Sequence, residues 1–191
     1  MHTTTERIHT DIDTPLGRMT LAATPHGLAG AWFAGQRHYP PAPALGRRDD
    51  RHPTLQQAAQ QLQAFLHGTR RHFDLPLDLG GGTPFQQSVW RALLAIPIGS
   101  TCSYAAIAAA VGRPAAVRAV GAAVGRNPAS IVVPCHRVVG SGGALTGYAG
   151  GLPRKAQLLA LEAAAVAGPG SPGPRLRRAR STSESRSTIA V

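Results

Sequence analysis

The chain has 191 residues, 43% of them hydrophobic and only 5% aromatic. That supports a packed core built mainly from Ala, Val, Leu and Ile and excludes a wholly disordered chain. Basic residues outnumber acidic ones 20 to 9, for a formal charge of +11, and all but Lys155 are arginine. Such an excess favours a polyanionic partner, nucleic acid before membrane, because the guanidinium fork matches phosphate. The charge is unevenly placed: residues 1–78 are nearly neutral, whereas residues 79–161 carry Arg91, Arg113, Arg118, Arg126, Arg137, Arg154 and Lys155 and no carboxylate. Two cysteines, Cys102 and Cys135, cannot build a disulfide framework or a four-thiolate zinc site. The chain shows neither an apolar signal core nor a membrane-length apolar run, so a soluble cytoplasmic protein is expected.

In chain order, RIHTDID, RMTLAA and LAGAWF read as three short strands separated by Pro-Leu-Gly and Pro-His-Gly turns. Residues 36–53 are rich in Pro and charge and read as a surface loop. Leu55, Ala58, Ala59, Leu62, Phe65 and Leu66 then recur at helical spacing up to Gly68. Phe73, Leu75, Leu77 and Leu79 alternate, which predicts a further strand. Residues 1–79 are expected to form a small α+β domain with an antiparallel sheet.

Gly80-Gly81-Gly82 marks the boundary to a second domain, 80–167. Thr83-Pro84-Phe85-Gln86 predicts a helix start, with Thr as cap, Pro in the first turn and Gln at the third position. That helix should turn Phe85, Val89, Trp90, Leu93 and Leu94 inward. Ser103 can cap a second helix from Tyr104 to Val111, and Gly112-Arg113-Pro114 separates it from a third, near 115–124. Two short helices with a short break suggest a helix-turn-helix. On the third helix Val117, Val120 and Val124 form an apolar stripe. Arg118, Gly121, Ala122 and Gly125 lie beside it with one long side chain among them, a face that can approach a ligand closely. An apolar extended run interrupted by Pro134-Cys135-His136-Arg137, a Gly-rich hairpin-like loop and a last helix from about Pro153 complete the domain. Residues 168–191, rich in Pro, Gly, Ser and Arg, read as a disordered basic tail.

A thiol becomes nucleophilic beside a base or a positive charge, which His136 or Arg137 can supply. On an extended strand, however, neighbouring side chains point to opposite faces. A turn or a bridging water is therefore needed to bring His136 to the sulfur. Glu162, the only carboxylate between Asp78 and Glu184, sits beside Leu158 and Leu159 on its helix and needs a partner. It either orients His136 or pairs with a nearby arginine.

The run IVVPCHRVVGSGGALTGYAGG, preceded by RAVGAAVGRNP and followed by a helix carrying Glu162, resembles the O6-alkylguanine-DNA alkyltransferases. The resemblance runs from about Thr83 to Glu162, and the first 78 residues are similar to that family's small N-terminal domain more loosely. It implies an α+β protein with a mainly helical, winged helix-turn-helix-like C-terminal domain. The implied activity is direct, single-turnover repair of double-stranded DNA carrying O6-alkylguanine or O4-alkylthymine, with Cys135 taking the alkyl group. His136 would deprotonate Cys135 through a water and Glu162 would hold His136. Tyr104 would protonate the departing base and Asn127 would brace the turn. Arg118 would fill the gap left by the flipped nucleotide, with Ser103, Ala119, Gly121 and Ala122 along the minor groove. Val138, Tyr148, Ala149, Gly150 and Gly151 would line the base pocket. No metal, no cofactor and no membrane partner are implied, and a monomer is expected. Ala105-Ala106 departs from the family's more polar pairs, and no role is assigned to Cys102, to the 36–53 loop or to the tail. Three other functions compete: a non-catalytic alkylated-DNA binder, a winged-helix DNA-binding regulator and a Cys/His hydrolase. The first lacks a reactive Cys, the second leaves Cys135, His136 and Glu162 idle, and the third needs an oxyanion hole that nothing in the chain suggests.

Overall fold

The computed structural model describes residues 6–167, so the expected basic tail at 168–191 lies outside the described residues. Strands β1 (Ile8–Ile12), β2 (Met19–Thr24) and β3 (Gly27–Phe33) form the expected antiparallel meander. Gly27 is required at the second turn. Its φ is 136°, and a Cβ there would lie 2.3 Å from the Pro76 carbonyl oxygen.

Helix α2 (Pro53–Leu66) buries Leu55, Ala58, Leu62 and Phe65 completely and packs on β2 and β3. Each large apolar side chain in that seam contributes about 1.5–3 kcal/mol, and truncating Phe65 to Ala would cost about 3–5 kcal/mol.

The 36–53 segment is not the free loop expected from its composition. It contains α1 (Ala42–Leu45) and β4 (Arg47–Arg48), which pairs parallel with β1 and completes a sheet of order β3-β2-β1-β4. Leu45 and Tyr39 pack on Ala22 and Trp32, so this segment covers part of the sheet face opposite α2. Arg48 reaches Asp50 and Asp11, which pins its charged side to the sheet.

The strand expected at Phe73–Leu79 also fails to form a ladder. Only Leu77 bridges Leu28, through Leu28 N–H to the Pro76 carbonyl (2.8 Å) and Asp78 N–H to the Leu28 carbonyl (2.9 Å). Pro76 has no N–H to give, which suits a segment lying along a sheet edge. Farther along the same edge, Ala31 N–H donates to the Pro128 carbonyl and Ser130 N–H to the Ala31 carbonyl. The outer edge of β3 is therefore covered by residues 76–78 and 128–130, and the second contact ties the sheet to the segment leading into Cys135.

In the second half, Thr83 and Gln86 close a reciprocal capping box on α3 (Pro84–Leu94), as expected. Val89, Trp90 and Leu93 are buried, but Leu94 is 43% exposed, contrary to its inward assignment, because it lies at the last turn beyond the packed stripe. Trp90 Nε1 donates to the Ala123 carbonyl and fixes α3 to the helix carrying Ala123. Ser103 caps α4 (Tyr104–Ala110) through Ala106 N–H, and α5 (Val117–Gly125) follows the break. Val120, Ala123 and Val124 face inward, but Val117, expected on that stripe, is 37% exposed at the first turn.

Helix α6 (Leu152–Ala167) buries Lys155, Leu158 and Glu162. The second sheet is a two-residue parallel pair, β5 (Cys102–Ser103) with β6 (Val138–Val139), rather than a hairpin wing. The Gly-rich loop is a 3-10 turn closed by Gly140 N–H on the Ala144 carbonyl. The fold is thus mixed α+β, with a sheet domain first and a mainly helical one second. No helix among the described residues is long and apolar enough to cross a membrane.

Candidate active site

Cys135 opens a 3-10 turn, Cys135–Arg137, and is only 3% exposed. The extended backbone expected here is absent, and a turn brings consecutive side chains together where a strand would separate them. Asn127, also buried, supports this turn from the end of α5. Its Oδ1 accepts Ala129 N–H (3.0 Å), and its Nδ2 donates to the Val133 carbonyl (2.8 Å) and to Cys135 Sγ (2.9 Å). Between them Ile131 has φ 74°, a left-handed conformation that a β-branched residue rarely adopts. Such strain costs about 1–3 kcal/mol, and it is held here by the Asn127 bonds and by the edge of β3.

Behind the thiol, His136 Nε2 lies 2.7 Å from Glu162 Oε1, and both side chains are fully buried. Arg137 Nε donates to both Glu162 oxygens (3.1 and 2.9 Å), its second nitrogen meets Oε1 (2.9 Å), and its third donates to the Ile96 carbonyl. Gly99 N–H completes the shell on Oε2 (3.1 Å). Both partners weighed for Glu162 are therefore engaged at once. Although burial alone would raise it, hydrogen bonds and charge from His136 and Arg137 hold this carboxyl down at about 2. Burial pushes His136 below its ordinary value, so the imidazole is neutral at rest. His136 Nδ1 is buried and has no hydrogen-bond partner among the described residues.

Burial lifts the Cys135 thiol to about 11, opposed by the Asn127 hydrogen bond and by the charge of Lys155. Lys155 did not enter the sequence-derived site. It is fully buried and donates to the carbonyls of Val138 (2.5 Å), Thr146 (2.6 Å) and Gly147 (3.4 Å). The signal was present in the sequence, since residues 155, 158 and 162 fall on one helical face and the inward stripe of α6 carries a cation.

A cleft of about 550 Å³ opens on the other side, between α5 and the 147–152 segment. It brings together Tyr104, Gly121, Ala122, Tyr148, Ala149 and Gly151 from the expected set. Val138 and Gly150 are buried and do not line it, and the Val138 carbonyl is taken up by Lys155. Gly150 instead permits close packing, since a Cβ there would lie 2.8 Å from the Tyr148 ring and 3.0 Å from Phe33. The Tyr104 hydroxyl donates to the Thr146 and Gly147 carbonyls (3.3 and 3.4 Å), and burial raises its pKa, so it keeps its proton. Arg118 and Ala119 are exposed at the first turn of α5, and Ser103 lies at the α4 cap. Next to this segment Arg154 of α6 donates to the carbonyls of Leu16 (2.7 Å) and Gly150 (2.9 Å), with its guanidinium 4.5 Å above the Phe33 ring.

Two family models match the chain. The 6-O-methylguanine DNA methyltransferase ribonuclease-like domain covers residues 8–79, and the DNA binding domain of the same family covers residues 84–164. The methylated-DNA–protein-cysteine methyltransferase of Mycobacterium tuberculosis is 46% identical over 159 residues, covering 79% of this chain and 89% of the relative. The constitutive methylated-DNA–protein-cysteine methyltransferase of Bacillus subtilis is 46% identical over 156 residues, covering 81% and 94%. The crystal structure of M. tuberculosis O6-methylguanine methyltransferase superposes with a TM-score of 0.75 at 44% identity, covering 86% of this chain and 96% of that one. The M. tuberculosis OGT structure in complex with DNA gives 0.74 at 45%, covering 82% and 92%. By its two matched domains and by these identities over most of its length, the chain belongs to the methylated-DNA–protein-cysteine methyltransferase family.

Proposed function

We propose that this protein repairs alkylated double-stranded DNA directly and once per molecule, acting as a monomer. Cys135 Sγ attacks the alkyl carbon on O6 of guanine, or O4 of thymine; the new S–C bond forms as the C–O bond breaks. The thiol proton leaves toward His136 through a bridging water at Nδ1, while Glu162 on Nε2 stabilises the resulting imidazolium. Lys155 and Asn127 stabilise the negative charge on sulfur. Tyr104 gives a proton to the departing guanine, which makes the base a better leaving group. A buried sulfur cannot reach a base inside the duplex, so the nucleotide is turned out into the cleft beside Tyr104 and Tyr148. Arg118 fills the gap and the small face of α5 lies in the minor groove. The thioether has no low-energy hydrolysis route, which makes the step stoichiometric. Residues 1–79 and 80–167 act as a supporting and a catalytic domain.

The observation that carries this reading is the buried Cys135 held by Asn127 directly before the His136–Glu162 pair. Intact-protein mass after incubation with an O6-methylguanine duplex tests it. One added methyl group on Cys135, absent from Cys135→Ser, is expected. Several repairs per molecule, or none, would refute it.

A further inference from the structure

The cleft beside Tyr104 is lined in part by the sheet domain. Arg37 and His38 line it from the turn after β3, and Arg126 lines it from the end of α5. All three are exposed. Among the described residues, no carboxylate forms an ion pair with either guanidinium.

The turn is built rather than loose. Gln36 is buried, its Oε1 accepts Phe33 N–H (2.9 Å) and the Ser130 hydroxyl (3.3 Å), and its own N–H returns to the Phe33 carbonyl. Arg37 N–H donates to the Ala149 carbonyl (3.0 Å), which couples the turn to the adjoining 147–152 segment. His38 is held at φ 60°, left-handed for a residue with a side chain. His38 and Arg126 also line a neighbouring cleft of about 310 Å³ whose wall includes Asp78, an acid engaged by Thr24 and Gly80. Arg7 also lines that neighbouring cleft, so there two guanidiniums face one carboxylate, whereas the Tyr104 side holds Arg37 and Arg126 with no carboxylate in its lining.

Arg118 and Arg126 stand near opposite ends of α5, eight residues or about 12 Å apart along the helix axis. That span exceeds a single nucleotide step, so both can engage one strand around an extruded base.

We propose that Arg37 and Arg126, with His38, form a two-domain phosphate clamp that grips the DNA backbone beside the nucleotide entering the cleft. The N-terminal domain thereby takes part in holding DNA and is more than a support for the helical half. The inference rests on the repair reading above for the identity of the strand.

The test compares wild type with three variants: Arg37→Gln/Arg126→Gln, Arg37→Lys/Arg126→Lys, and the distant control Arg51→Gln. Affinity for an O6-methylguanine duplex is measured across salt concentrations, and methyl transfer is followed by mass. Loss of two phosphate contacts should flatten the salt dependence by roughly 2, at about 0.9 per contact, and weaken binding on the order of tenfold. The lysine pair should retain the slope, because a phosphate accepts a point charge. Transfer from duplex DNA should fall by a larger factor than alkylation by free O6-benzylguanine. Melting curves that match wild type confirm an intact fold, and the single variants Arg37→Gln and Arg126→Gln, each expected to flatten the slope by about 0.9, replace the pair if it is unstable. A folded glutamine pair, or in its place both single variants, with a slope equal to that of Arg51→Gln overturns the clamp, as does a lysine pair whose slope is flattened as much as the glutamine pair's. Failure of the wild type to accept a methyl group would instead overturn the repair reading, while the salt slopes still decide the clamp.

Discussion

Arg137 grips Glu162 with two nitrogens while its chain neighbour His136 uses the same carboxylate from another direction. One acid thus holds the 3-10 turn against α6 and orients the imidazole behind Cys135. A buried charge that loses its partner is costly, so this carboxylate serves stability and reactivity together.

Glu162→Gln is accordingly expected to act twice. It leaves the Arg137 guanidinium without its anion, which should destabilise the fold by about 3–5 kcal/mol. It also removes the charge that stabilises an imidazolium at His136, so Cys135 should alkylate more slowly and at higher pH. Melting curves and the pH profile of thiol alkylation measure the two effects separately. A stability loss with an unchanged profile would confine Glu162 to structure.

Acid should weaken the protein in two stages. The His136 pKa is depressed below its ordinary 6.5, so its contribution is complete above that value and is lost as pH falls below it. Glu162 is depressed from 4.5 to about 2, so its contribution, at most about 3 kcal/mol, is present above 4.5 and lost as pH falls toward 2. Urea unfolding from pH 7 to 3 should show both stages, the lower one missing in Glu162→Gln. Parallel curves for the two proteins would contradict the assignment.

Asn127→Ala removes donors from Cys135 Sγ and the Val133 carbonyl and an acceptor from Ala129 N–H. Leaving those buried groups unpaired should cost about 2–3 kcal/mol. The thiol should become harder to ionise, which a haloacetamide titration reads directly. No shift in that titration would mean that the amide braces the turn without tuning the sulfur.

Arg118→Ala should slow repair of duplex DNA more than repair of single strands, where there is no base stack to hold open. Comparable slowing on both substrates would point to a general phosphate contact instead.

Much of this architecture is readable from local pattern. The Thr83–Gln86 capping box, the Ser103 cap and the α2 stripe each follow from chemistry within one turn of the chain. What escapes is set by partners far away in sequence. The alternation at Phe73–Leu79 looks like a strand, yet Pro76 and a sheet edge reached only at Leu28 leave it a single bridge. The 36–53 segment looks solvated by composition, but Leu45 and Tyr39 find Ala22 and Trp32. Cys135, His136 and Glu162 are recognisable as a set, whereas the buried lysine at 155 becomes intelligible only when three carbonyls converge on it.

Arg154 touches three separate stretches: the Leu16 carbonyl in the first turn, the Phe33 ring at the end of β3 and the Gly150 carbonyl beside the cleft. This makes the two halves a matched pair. A chimera that joins residues 6–79 of this chain to the helical half of a relative keeps the cleft's shape only if the incoming helix also presents a guanidinium to Leu16 and Phe33. Exchange of domains between family members is thereby constrained at a seam remote from the reacting sulfur, and substitutions at positions 16, 33, 150 and 154 should accumulate together rather than independently.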